Sequence, residues 1–198
     1  MPANGERPLV AICGVGALGS TAVLFARNLD ARLRLIDFDR VESKNLQAQW
    51  FVKQSIGKNK ADAMRLQLAN FYGVKAESRG VRLVDNNAAE LLAGCAIAVD
   101  AFDNHDSREL LSRAAAAAGV PVVHAAMAGD GTFGLVRWDP HFEPDREDTE
   151  GQATCEGGEH LPVIGLIGAT VARALSEHLE HGRSSDYMIS LSGVSRTR

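Results

Sequence analysis

The run Gly14-Val15-Gly16-Ala17-Leu18-Gly19 constrains this chain more than any other feature, because it joins a five-residue apolar stretch to a segment of helical periodicity. The stretch, Leu9-Val10-Ala11-Ile12-Cys13, is too short for a helix and reads as a strand buried on both faces, the pattern of a parallel sheet. Beyond the glycines, Leu18, Ala22, Phe25 and Leu29 recur at three- and four-residue steps and predict a helix over 17–29, and residues 33–36 predict a second strand. In such a β-α-β unit one glycine makes the tight turn, one lets the backbone approach a phosphate, and the third permits close helix–strand packing. The N-terminus of the helix adds free N–H groups and a partial positive charge. Asp37 ends the second strand, where a carboxylate accepts hydrogen bonds from ribose hydroxyls. Gly14, Gly16, Gly19 and Asp37 therefore predict a bound adenine nucleotide, without separating NAD from ATP.

The alternation continues downstream. Ala61, Met64, Leu68 and Phe71 share one face of a predicted helix over 57–72, followed by a strand over 74–78, a helix over 87–92 and a strand over 96–99. A helix over 107–118, ended by Gly119, leads to a strand over 120–124. Strands alternating with helices predict a doubly wound, mostly parallel, Rossmann-like α/β sheet. After residue 130 the pattern changes to the alternation of residues 131–138, which predicts an antiparallel extension. Residues 139–155 are polar and acidic and are expected to form a mobile loop; a last helix over 161–181 carries Gly165 and Gly168, expected to allow close packing against the sheet. With 198 residues and 45% apolar content, the chain is expected to form one domain over 1–198.

Composition removes several classes of function. A formal net charge of −4 with both signs interspersed offers no basic stripe for nucleic acid. Residues 1–7 lack an apolar leader core, and no apolar run approaches the roughly 18 residues of a membrane span, so a soluble, cytoplasmic protein is expected. The three cysteines, Cys13, Cys95 and Cys155, are far apart, which argues against a disulfide framework and a thiolate zinc site. Cys13 and Cys95 read as small buried hydrophobes.

Residues 36–49, Ile-Asp-Phe-Asp-Arg-Val-Glu-Ser-Lys-Asn-Leu-Gln-Ala-Gln, resemble the D-x-D-x-V-x-x-x-N-L-x-R-Q signature of the ThiF/MoeB/HesA-like enzymes. Two more matches follow in order. Gly57-Lys58-Asn59-Lys60-Ala61 is similar to that family's G-x-x-K-A, and Asp100-Ala101-Phe102-Asp103-Asn104 with Arg108 is similar to its D-x-x-D-N-x-x-x-R. The resemblance implies one adenylation domain that uses ATP and Mg²⁺ to activate the C-terminal glycine carboxylate of a small ubiquitin-like or sulfur-carrier protein ending in Gly-Gly. It implies that Asp37 holds the ribose, with Asp39 beside it; that Asn45, Gln49 and Lys60 line the phosphate site; and that Asp103, next to Asn104, holds the Mg²⁺ of the triphosphate. A homodimer is implied as well. That chemistry suits such residues, since carboxylate attack on the α-phosphorus builds charge on phosphate oxygens and calls for a cation and amide donors aimed there.

The sequence also departs from the family. The signature arginine is replaced by Ala48, and the arginine-bearing helix ahead of the first strand has no counterpart in the roughly seven residues before it, so two phosphate cations are expected to be missing. Arg40, Lys44, Lys53 and Lys58 are the nearby substitutes. The zinc-binding C-x-x-C pairs of many relatives are missing too, and no structural zinc is expected. Cys155 stands where relatives keep a cysteine that forms a thioester or acyl-disulfide; its thiol, with an ordinary pKa of about 8.5, needs a helix N-terminus or His160 to ionise, and Glu156 and Glu159 oppose that. Cys155, Asp103 and Lys60 are thus the candidate catalytic residues. Two alternatives stand beside adenylation: a nucleotide-binding, catalytically weak subunit of a heteromeric enzyme, and an NAD-dependent oxidoreductase.

Overall fold

All five residues of β1 (Leu9–Cys13) are buried at the centre of an eight-stranded sheet in the computed structural model, which describes residues 6–139 and 158–198. Complete burial follows from helices covering both faces. The strand order is β3-β2-β1-β4-β5-β6-β7-β8, with β2 (Arg32–Ile36), β3 (Ala76–Arg79), β4 (Cys95–Asp100) and β5 (Val122–Met127) completing the parallel part. β6 (Phe133–Arg137), β7 (Tyr187–Ser190) and β8 (Gly193–Arg196) extend it antiparallel. Order reverses between β1 and β4, which opens a crevice at their carboxyl ends, the usual ligand position in such sheets.

Helices α1 (Ala17–Ala26), α2 (Lys60–Tyr72) and α5 (Leu161–His181) cover one face around Ile12, Met64, Leu68, Ile167 and Leu175. On the other face α3 (Asp85–Leu92) and α4 (His105–Ala118) pack Leu91, Leu92, Leu111 and Ala115 onto Ala11, Cys13, Ile36 and Ala98. Side-chain alternation along β1 sends Ile12 to the first core and Cys13 to the second. Burial raises the Cys13 thiol pKa well above its ordinary value, which leaves it an inert core residue.

Several boundaries differ from the sequence expectations, each for a local reason. α1 stops at Ala26, and Leu29 follows it as a partly buried core neighbour outside the helix. Phe25 and Phe71 keep the helical period but point outward, with Phe71 65% exposed; the apolar stripe of each helix is wider than the face it buries. α2 begins at Lys60 because the Asn59 side chain accepts from the Asp62 N–H, and Gly73 ends it in the left-handed conformation. That turn delays β3 to Ala76. Gly168 does permit a close approach, but to helix α1 and not to the sheet: a Cβ there would lie 2.5 Å from the Thr21 methyl, whereas nothing approaches Gly165. The β7–β8 hairpin was not expected from sequence. The expected loop over 139–155 lies, apart from Asp139, outside the described residues.

Candidate functional site at the strand switch point

The glycine turn is built for a close approach from outside. Gly14 has φ +86°, and a Cβ on it would meet the Ala101 carbonyl oxygen at 2.7 Å; a Cβ on Gly19 would overlap the Gly14 carbonyl at 1.9 Å. Both glycines are needed by the fold. Gly16 differs, since nothing lies within 4 Å of where its Cβ would be, so the space beside it is open.

Asp37 closes this turn from β2. Its carboxylate accepts from the Val15 N–H at 2.6 Å and from the Asp39 N–H at 2.8 Å, and the residue is only 7% exposed. Burial pushes the Asp37 pKa above the usual carboxylate value, against those two backbone N–H donors and the charge of Lys60. A donor pair such as a ribose diol is what a partly desolvated carboxylate in this position would favour.

Lys60 opens α2 and is 8% exposed; its ammonium lies 3.2 Å from an Asp39 carboxylate oxygen. Asn59 ties these segments together, donating from its amide to the Asp37 and Asp39 carbonyls at 2.8 and 3.1 Å while capping α2 with its oxygen. Sequence reasoning missed Asn59. Its signal was an N-cap residue type inside the first turn of the helix predicted over 57–72, which marks the later start that α2 has.

Asn45 and Gln49 occupy and follow a 3₁₀ turn, Ser43–Gln47. The Asn45 side-chain oxygen accepts from the Glu42 N–H at 2.8 Å, and its backbone carbonyl accepts from the Ala48 and Gln49 N–H groups. The Gln49 side-chain oxygen is buried with no hydrogen-bond partner among the described residues, and a ligand with a donor would satisfy it, as would the flipped amide with an acceptor. The next residue, Trp50, donates its N–H to the Ser20 hydroxyl, which keeps this segment along the first turns of α1.

Ala48 is 2% exposed and packs against Ala17 and Ile164. The place of the signature arginine is thus filled by aliphatic groups. Among the nearby cations, Arg40 donates to the Gly57 carbonyl at 2.7 Å and Lys44 lies 3.7 Å from Glu42, while Lys53 and Lys58 are exposed.

At the end of β4 the next loop turns into α4. Ala101 N–H donates to the Cys13 carbonyl at 2.9 Å, so this loop and the glycine turn are joined. Asp103 is exposed and accepts from the Asn104 amide at 3.3 Å; Asn104 caps α4 by accepting from the Ser107 N–H at 3.0 Å. Asn104 therefore has a structural task whether or not a nucleotide is bound. The described residues include no cluster of three or more His, Cys, Asp or Glu side chains shaped for a metal, so a cation at Asp103 would need the phosphates as its further ligands.

Cys155 lies outside the described residues. At Gly158 a Cβ would lie 3.1 Å from the Gln47 carbonyl, and His160 packs its ring against Gly131. No helix among the described residues is long and apolar enough to cross a membrane.

The site therefore brings together the glycine turn, Asp37, Asp39, Lys60, the Asn45–Gln49 segment and the Asp103 loop. Comparison with known proteins gives the family and the fold. The sequence profile of the ThiF family matches residues 6–183. A molybdopterin-synthase adenylyltransferase from Salmonella typhimurium is 30% identical over 184 residues, covering 87% of this chain and 73% of that protein. A sulfur carrier protein adenylyltransferase from Thermus thermophilus is 35% identical over 127 residues, covering 62% of this chain but 46% of that protein. The crystal structure of PaaA superposes with a TM-score of 0.75 at 19% identity, over 98% of this chain and 64% of that one, which supports the fold. The chain thus spans less than two thirds of the last two proteins.

Proposed function

Because the chain belongs to the ThiF family, we propose that it is an ATP-dependent adenylyltransferase acting on the C-terminal glycine carboxylate of a small ubiquitin-like or sulfur-carrier protein. A carboxylate oxygen attacks the α-phosphorus, the bond to the bridging oxygen breaks, and the products are an acyl-adenylate and pyrophosphate. The observation that supports this reading is that the glycine turn is joined to Asp37 beyond β2 and to the loop that leads to Asp103 beyond β4, with Lys60 paired to Asp39 two residues from Asp37.

In this reading Asp37 receives the ribose hydroxyls and the Gly16 turn receives phosphate oxygens on the N–H groups that open α1. Lys60 exchanges part of its pairing with Asp39 for the phosphate charge, and Asn45 and Gln49 orient the chain of phosphates. Asp103 would hold Mg²⁺, which when bound neutralises charge on the phosphates. Carrier and homodimer follow the family resemblance, as does a cytoplasmic setting. A nucleophilic Cys155 thiolate would take the acyl group as a thioester with release of AMP; the acyl-disulfide instead requires Cys155 as a persulfide, its outer sulfur supplied by a sulfane-sulfur donor, with AMP again leaving.

ATP–pyrophosphate exchange tests the proposal, measured with purified protein, Mg²⁺ and candidate carriers ending in Gly-Gly. Carrier-dependent exchange that Asp103→Ala reduces on the order of a hundredfold is expected. ATP binding without exchange favours the second reading, a nucleotide-binding subunit that relies on a competent partner. The burial of Ala48 among aliphatic side chains is what favours that alternative. Binding of NAD in preference to ATP would overturn both.

A further inference from the structure

His124 lies outside the candidate site, yet it is fully buried beside the fully buried Asp100. The two are register partners on β5 and β4, and the His124 Nδ1–H donates to an Asp100 carboxylate oxygen at 2.8 Å. The same oxygen accepts from the Arg108 guanidinium at 3.2 Å, and the other oxygen accepts from the Phe102 N–H at 3.1 Å. Arg108 also donates to the Ala125 carbonyl at 2.9 Å, one residue beyond His124.

One carboxylate thus gathers donors from β5, from the first turn of α4 and from the loop between β4 and α4. Phe102 precedes Asp103 in that loop, and Arg108 follows it by one and a half helical turns. Apolar residues at positions 100, 108 and 124 would pack without the desolvation cost of three buried polar groups, and buried ionic clusters of this kind contribute little net stability. Such a cluster is better explained by the loop it holds.

We propose that His124 is a positioning residue: through Asp100 it fixes the 101–104 loop in the conformation that presents Asp103 to magnesium-bound nucleotide. The inference rests on the adenylyltransferase reading, in which Asp103 meets the metal. His124 touches neither nucleotide nor metal in this account; it orders the loop before either arrives.

The test is ATP affinity of the full chain by calorimetry, once with Mg²⁺ and once with a chelator. Wild type is expected to bind ATP more tightly with Mg²⁺. In His124→Leu the affinity without metal stays at the wild-type value, while the gain from Mg²⁺ falls by about tenfold, the size seen when a partner behind a metal ligand is removed. His124→Asn, whose amide can donate from nearly the Nδ1 position, restores most of the gain. Should His124→Leu not fold, Asp100→Asn makes the same measurement, since it keeps the shape and loses one acceptor.

A folded His124→Leu or Asp100→Asn protein with the full Mg²⁺ gain overturns the proposal while leaving the adenylation reading intact. Equal losses with and without metal also overturn it, because they indicate a general structural role. Failure of the wild type to bind ATP sinks the adenylation reading and this inference together.

Discussion

At the scale of single residues, the glycine turn separates what the fold needs from what the proposed nucleotide would need. Gly14 sits at φ +86° against the Ala101 carbonyl, so Gly14→Ala adds both backbone strain and a clash and should cost about 2 kcal/mol or more in chemical denaturation. Gly16 has φ −79° and open space where its Cβ would stand. Gly16→Ala should therefore change stability by less than about 1 kcal/mol while weakening ATP binding, as read by calorimetry. Equal stability losses in the two variants would contradict this division. A second residue-scale case lies far from the site. Glu177 accepts from the Tyr187 hydroxyl at 2.7 Å and from Arg173 at 3.0 Å, and these partners, the tyrosine first, lower its pKa from 4.5 to about 2. A depressed carboxylate adds stability above its unfolded pKa and loses it as pH falls through its folded one. Glu177→Gln should accordingly flatten the decline in melting temperature between pH 4.5 and 2 relative to wild type.

At the scale of elements, the segment after the 3₁₀ turn decides whether this site can carry an arginine like its relatives' signature. Ala48 is packed on Ala17 and Ile164, so Ala48→Arg alone overfills a buried position and should destabilise by about 1–3 kcal/mol. Pairing it with Ile164→Ala relieves the crowding. If the missing cation limits the reaction, the double variant should exchange pyrophosphate faster than wild type by tenfold or more, on the order of what a transition-state arginine supplies. An unchanged rate would mean that another group already does this work. Elements also show where sequence was legible. The helix expected over about 161–181 is α5, legible because its apolar pattern is long. β7 and β8 were not predicted, since each has only four residues and β8 is exposed along its length, leaving no periodicity to read. Within the candidate site, what was legible is the local geometry that a residue type imposes: the positive φ of Gly14 and the carboxylate of Asp37 that accepts from the turn. His124 was illegible because it is one polar residue in an apolar strand, and its meaning comes from Asp100, a neighbour only in the folded sheet.

At the scale of the whole molecule, the site straddles a sheet whose two faces are separate cores. Ile167 is buried in the core under α1, α2 and α5, and Leu111 in the core under α3 and α4, with β1 contributing alternate residues to both. Ile167→Ala and Leu111→Ala should each cost about 2–5 kcal/mol, and because they share no partners the costs should add to within about 0.5 kcal/mol. Unfolding should nonetheless remain one transition, since neither face is a domain that could survive loss of the shared sheet. Bound ATP supplies a further measure. At a hundred times its Kd it stabilises any variant that retains an intact site by about 2.7 kcal/mol, whatever the starting stability. The proposed nucleotide crevice would draw on Gly16 and Asp37 at the carboxyl ends of β1 and β2, and on Asp103 from beyond β4, so both core variants should keep the full increment. If Leu111→Ala alone loses it, the crevice depends on the α3/α4 face more than on the strand ends. The Asp103 loop, which leads directly into α4, would then be the element through which that dependence runs.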